Sequence, residues 1–263
     1  MKDSQEFNNN FAGRKILPIK TVEQLVASHL VAEILIEIRE EIEEMEKDNL
    51  EFLIPKLNEN VSERASKLFE KAFSIMKFKP SFVYMVKLGI EDIFKYKFSE
   101  DPSVTTVGGG DTAHLQKMFA TRFTDLSKIN LEDHTLNVFE NALNMAEKSG
   151  RASTMSLSII ASLFHDFGKS SKIKKELLGE GMQRGTKAHA EISALYLQDL
   201  LFLKLYNIID DGYSITEATE RLEFLVKNHH PANKDQKEDL EIAFIVNVDH
   251  EARKQEFNSL RSK

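Results

Sequence analysis

Apolar residues return at intervals of three and four along almost the whole chain, and no stretch bounded by turn signals alternates strictly between apolar and polar. Intervals of three and four line one face of a helix, whereas a half-buried strand needs a repeat of two. The sequence therefore predicts an all-α protein, and 263 residues with 41% apolar content suffice for a substantial core. Helices are expected at roughly 21–48, 61–77, 81–97, 113–128, 132–148, 154–166, 186–204, 215–230 and 238–256.

The first of these begins at Thr21, a capping hydroxyl followed by Glu23 and Gln24. Its stripe of Val31, Leu35, Ile38, Ile42 and Met45 faces away from Glu37, Glu40, Glu41 and Glu44. Two heptads rarely sustain a coiled coil alone, so packing within its own domain is favoured, with a homodimer through the N-terminal helices as the alternative. The loop from Asp101-Pro102-Ser103 to Gly108-Gly109-Gly110-Asp111 sets a boundary near 101–112. The triple glycine lacks the Gly-Lys-Ser/Thr ending of a phosphate loop and follows no strand, so it reads as a linker. This gives an N-terminal helical region, 1–110, of unassigned role, and a second domain, 111–263.

A net charge of −7 argues against broad binding to a nucleic-acid backbone. The absence of cysteine rules out disulfides and thiolate-bound metals, leaving only nitrogen and oxygen ligands. The polar start, Met1 to Asn10, lacks the order of a signal peptide, and no apolar run reaches membrane-spanning length; a cytoplasmic protein is expected.

Such ligands are present in an ordered set: His134, His165-Asp166, His189, His229-His230 and Asp249. Asp249 ends an apolar face of Ile242, Ile245 and Val246, where an isolated charge is costly; either a metal or Arg253, one turn on, would satisfy it. His229 shares its face with Leu222, Leu225 and Val226, which makes it the inward member of its pair. Pro231 ends the helix there, which leaves His230 free to turn in as a second ligand. His250 falls off the Asp249 face and reads as a solvated histidine. Behind His165 stand Ser158, Ala161 and Ser162, small residues that leave space for a coordination sphere. Gly168 either bends the chain after the dyad or caps the helix, and Lys169 either serves a ligand bound at Asp166 or complements the helix dipole. His134 opens a helix with the inner stripe Val138, Ala142 and Met145; His189 opens one continuing through Ile192, Ser193 and Tyr196.

The order His134, His165-Asp166, His189, His229-His230, Asp249, with His-Asp-Phe-Gly-Lys at its centre, resembles the HD-domain superfamily of metal-dependent phosphohydrolases, helical bundles with the pattern His, His-Asp, distal Asp. The additional histidines resemble its two-metal subgroup. His-Asp-x-Gly-Lys followed by paired histidines is also similar to the HD-GYP cyclic dinucleotide phosphodiesterases, but this chain continues Pro231-Ala232-Asn233-Lys234-Asp235 without Gly-Tyr-Pro. A looser likeness links it to HD modules of conjugative relaxases.

The resemblance implies that His134, His165, Asp166 and Asp249 hold one metal, and that Asp166 bridges to a second on His189 and His229, with His230 as a further candidate. It assigns catalytic roles to Asp166 and Lys169, with Lys169, Arg184 and Lys187 as candidate phosphate contacts. One or two divalent transition metals (manganese, iron, nickel or zinc) fit imidazole and carboxylate ligands. The expected activity is hydrolysis of a nucleotide or related phosphate ester by metal-activated hydroxide. The alternatives are a nuclease-like or relaxase-associated module acting on DNA, and a nucleotide-sensing module.

Overall fold

The computed structural model describes residues 10–11, 14–15, 57–76, 80–104, 126–150, 154–179, 189–200, 215–230, 236 and 238–261. The expected 21–48 helix with its dimer stripe, the triple glycine, Arg184, Lys187 and residues 231–235 lie outside them. The chain divides into two compact units, Met1–Pro55 and Lys56–Lys263. In the first, strands Asn10–Phe11 and Arg14–Lys15 form a two-residue antiparallel pair.

The described part of the second unit is helical, and the all-α class holds. Its helices are α1 (Glu63–Met76), α2 (Pro80–Lys95), α3 (Leu131–Ser149), α4 (Ser156–Phe164), α5 (Ser171–Leu178), α6 (His189–Leu200), α7 (Ile215–Lys227) and α8 (Leu240–Arg261). Short 3-10 turns occupy Phe98–Glu100 and Phe167–Lys169. No described helix is long and apolar enough to cross a membrane.

Helix α4 occupies the centre. Eight of its nine residues are buried, and α2, α3, α7 and α8 all pack on it. Fully burying side chains such as Ile159, Ile160, Leu163 and Phe164 contributes about 1.5–3 kcal/mol each relative to exposure. Helix α2 approaches so closely that a Cβ on Gly89 would lie 2.7 Å from Leu163 Cδ2. Helices α1 and α2 thus share the unit of the later helices; α1 packs on α2 and α3. The break between compact units falls at Pro55/Lys56, ahead of the 101–112 segment.

Residues at the start of that segment are tied to the later helices. Ser103 N–H donates to the Ile129 carbonyl at 2.9 Å and Leu131 N–H to the Asp101 carbonyl at 2.8 Å, while Ser171 N–H donates to Asp101 Oδ2 at 2.9 Å. Residues 101–103 therefore strap the starts of α3 and α5 together. Helix α3 begins where Asn130 Oδ1 accepts from Asp133 N–H at 2.7 Å, with Glu132 and Asp133 complementing the dipole. It ends at Gly150, whose φ of 66° is the left-handed conformation of a helix stop.

Candidate metal centre

Every ligand candidate sits at a helix end or on an inward helix face. His134 lies in the first turn of α3, His165 and Asp166 follow α4, His189 opens α6, His229 and His230 follow α7, and Asp249 lies midway along α8. Their polar atoms gather into two groups, His134/His165/Asp249 and His189/His229/His230, the ligand atoms within each lying no more than 4.8 Å apart. A residue of neither triad stands between them. Asp166 Oδ2 is 3.3 Å from both His134 Nε2 and His165 Nε2, while its Oδ1 is 3.4 Å from His189 Nε2 and 3.8 Å from His229 Nε2. One carboxylate thus faces both triads, one oxygen to each.

Backbone and side-chain acceptors fix the imidazoles. His165 Nδ1–H donates to the Ser162 carbonyl at 2.8 Å and His229 Nδ1–H to the Val226 carbonyl at 2.6 Å, because a carbonyl can only accept. His134 Nδ1–H donates to Glu256 Oε1 at 2.9 Å. Each ring, when neutral, thereby leaves its Nε2 lone pair facing the centre, the tautomer a metal requires. His189 Nε2 lies 3.3 Å from His229 Nε2 and 3.1 Å from His230 Nε2.

Five buried side-chain polar atoms among the described residues lack a hydrogen-bonding partner, and four are His134 Nε2, His165 Nε2, Asp166 Oδ1 and Asp249 Oδ1; the fifth is Thr135 Oγ1. An unsatisfied buried polar atom costs about 1–3 kcal/mol. Four converging on one place, all of them lone-pair donors, fit a divalent cation. Electrostatics agree. Burial raises the Asp166 carboxyl, but His165, Lys169 and His134 outweigh it and hold it well below the usual carboxylate range. Asp249 is likewise held low against its burial, by His134 and Arg253. Burial, reinforced by His230, His165 and His189, pushes His229 well below the ordinary imidazole range, so that ring is neutral. For His134, burial and Arg253 press downward, yet Glu256, Asp166 and Asp249 raise it to about 10.

His229 is 2% exposed and His230 is exposed, as their faces predict, and His230 nonetheless reaches the second triad. Asp249 meets His134 at 3.3 Å, whereas Arg253 Nε stands 3.9 Å from it. Arg253 is directed elsewhere, to Glu256 Oε2 at 3.0 Å and to Ser103 Oγ and carbonyl at 2.9 and 3.1 Å. His250 is half-buried and has interactions of its own.

The sequence reading left two roles open for Gly168 and two for Lys169. Gly168 neither caps α4 nor takes a positive φ. A Cβ there would lie 2.0 Å from the His189 carbonyl oxygen and 2.7 Å from Ser193 N, so glycine permits α6 to press its backbone onto the turn. Gly168 N–H donates to Ser193 Oγ at 2.7 Å and Ser193 Oγ–H donates to the His165 carbonyl at 2.9 Å, locking the dyad to the helix that carries His189. Lys169 is buried, its Nζ 2.7 Å from Asp166 Oδ2 and 3.2 Å from the Ser103 carbonyl, which puts its ammonium beside Asp166.

The sequence reading missed Glu256 and Ser103. Glu256 lies seven residues beyond Asp249, on the same helical face, which is the signal that marks it. Ser103 carries no local signal. Compared with known protein families, residues 131–252 match the family described as HD domain. No curated protein and no solved structure matches the chain.

Proposed function

We propose that this chain, whose residues 131–252 match the HD domain family, is a two-metal phosphohydrolase or phosphodiesterase acting on a nucleotide or related phosphate ester. The observation that carries this reading is Asp166, whose two oxygens face two separate sets of three ligands. His134, His165 and Asp249 would hold one cation and His189, His229 and His230 the other, with Asp166 common to both. Bound there, such cations supply a hydroxide nucleophile near neutral pH and neutralise charge on the attacking and leaving oxygens of an in-line displacement.

The chain's own residues do the rest. Lys169 holds Asp166 Oδ2, which restrains the shared carboxylate and leaves a buried positive charge behind the reacting phosphate. The Nδ1–H bonds of His134, His165 and His229 keep their Nε2 atoms as ligands rather than proton donors. His230 and His189 form the solvent-accessible edge, where substrate enters. Arg184 and Lys187 are the chain's candidates for further phosphate contacts. The net charge of −7 favours a small phosphorylated substrate over a polynucleotide.

The test is metal content of the full chain purified without chelator, followed by a screen of mono-, di- and cyclic nucleotides with Mn2+. Two metals per chain and hydrolysis of at least one phosphate ester are expected. A chain that resists loading, or a fully loaded one that hydrolyses none, refutes the reading.

A further inference from the structure

We propose that Glu256, held by Arg253 and through it by Ser103, is a positioning residue that tunes the His134/His165/Asp249 site selectively, because the ring it supports belongs to that site. The inference rests on the two-metal reading above. All three residues lie outside the segment that matches the HD domain.

Glu256 is 3% exposed and accepts from both His134 Nδ1–H at 2.9 Å and Asn137 Nδ2–H at 3.0 Å through Oε1. Its other oxygen accepts from Arg253 Nη1 at 3.0 Å. Arg253, also 3% exposed, is anchored in turn by the hydroxyl and carbonyl of Ser103, which is fully buried in the 101–103 strap. The same Ser103 carbonyl accepts from Lys169, which holds the shared Asp166. Two cations, Arg253 and Lys169, are thus fixed by one buried residue. A carboxylate on the far nitrogen of a ligating imidazole orients the ring and raises its basicity, and removing such partners typically costs about 10–100-fold in metal affinity.

The buried ring of the second triad is supported differently. His229 leans on the Val226 carbonyl, a neutral acceptor, as His165 of the first triad leans on that of Ser162. Of these three buried rings, His134 has the carboxylate, and it stands behind the ring rather than beside the centre, where Asp166 and Asp249 lie.

The experiment is Mn2+ titration of the full chain against a competing chelator, comparing wild type with Glu256→Gln and Glu256→Ala, each site being assigned with His165→Ala and His230→Ala. In Glu256→Ala the affinity of the His134/His165/Asp249 site should fall about 10–100-fold, with the other site within about twofold of wild type. Glu256→Gln, which keeps an acceptor for His134 but loses the charge, should fall between, and it also decides the matter if the alanine variant does not fold. Wild-type affinity at both sites, or equal losses at both, overturns the inference while leaving two metals per chain intact. Failure of the wild type to bind metal removes the underlying reading instead, and the inference with it.

Discussion

The two triads of candidate ligands both use histidine, but they differ in the carboxylates beside them and in the burial of their imidazoles. His134 and His165 are at most 1% exposed, lie among two carboxylates, Asp166 and Asp249, and have Glu256 behind them. His189, His229 and His230 are all imidazole; His189 keeps 16% of its side chain exposed and His230 lies at the surface. Burial strengthens electrostatic attraction and raises the cost of leaving a charge unpaired. The inner set should therefore hold its cation as part of the core, and the outer set should hold one that meets solvent and substrate.

The largest blow to both sets together is Asp166→Ala. It should remove metal from both sites and lower hydrolysis by about 10³-fold or more. Retention of both metals would show that the triads are independent, not bridged. Next in size is the contrast between His165→Ala and His230→Ala. The first should empty the inner site, with roughly 10²-fold lower activity; the second should weaken only the outer site, by about 10-fold, as measured by metal retained after dialysis. Equal effects would erase the distinction between core-held and solvent-facing cations.

Gly168→Ala probes the joint between the sets. The added Cβ meets the His189 backbone, so stability should fall by about 1–3 kcal/mol in urea denaturation, with outer-site affinity falling more than inner. An unchanged midpoint would mean that α6 tolerates displacement. The smallest effect concerns the anchor of α7, which leads to His229 and His230. Arg221 Nη2 donates to Asp239 at 2.7 and 2.8 Å and Arg221 Nε to Glu241 at 2.7 Å. Burial raises the Asp239 carboxyl, but Arg221 and the Ile242 and Glu241 N–H groups lower it below its ordinary 3.8. A carboxylate with a depressed value stabilises above the unfolded value and loses that contribution as pH falls through the folded one. Asp239→Asn should therefore cost at most about 1 kcal/mol at neutral pH, since the pair is partly exposed, and the gap from wild type should close below pH 3.8. A gap independent of pH would assign the loss to helix capping instead.

Periodicity located the helices because their apolar faces are long: α3 and α8 fall within a few residues of expectation at their starts. It overlooked α5, where Lys172, Lys174, Lys175 and Glu176 leave few apolar residues to mark a face. Ser170, which caps it through Oγ and Ile173 N–H, was a readable start signal. The inward choice of His229 over His230 was legible because both lie on a helix end whose face continues upstream. The partners of Arg253 were not, since Ser103 stands 150 residues away and only the folded chain brings it near. Gly168 illustrates the same limit: its flexibility was visible, but the helix that requires it comes from a separate stretch of sequence.

Gly168, Ser193 and the dyad together fasten α4 to α6, yet the chain has no cysteine and so no disulfide tie between distant segments. The ligands from His134 to Asp249 are drawn from five separate stretches of the second unit. Cations seated on them would close the intervening loops as cross-links do, so metal supply would govern how much of the chain is folded and how long it survives proteolysis, quite apart from turnover.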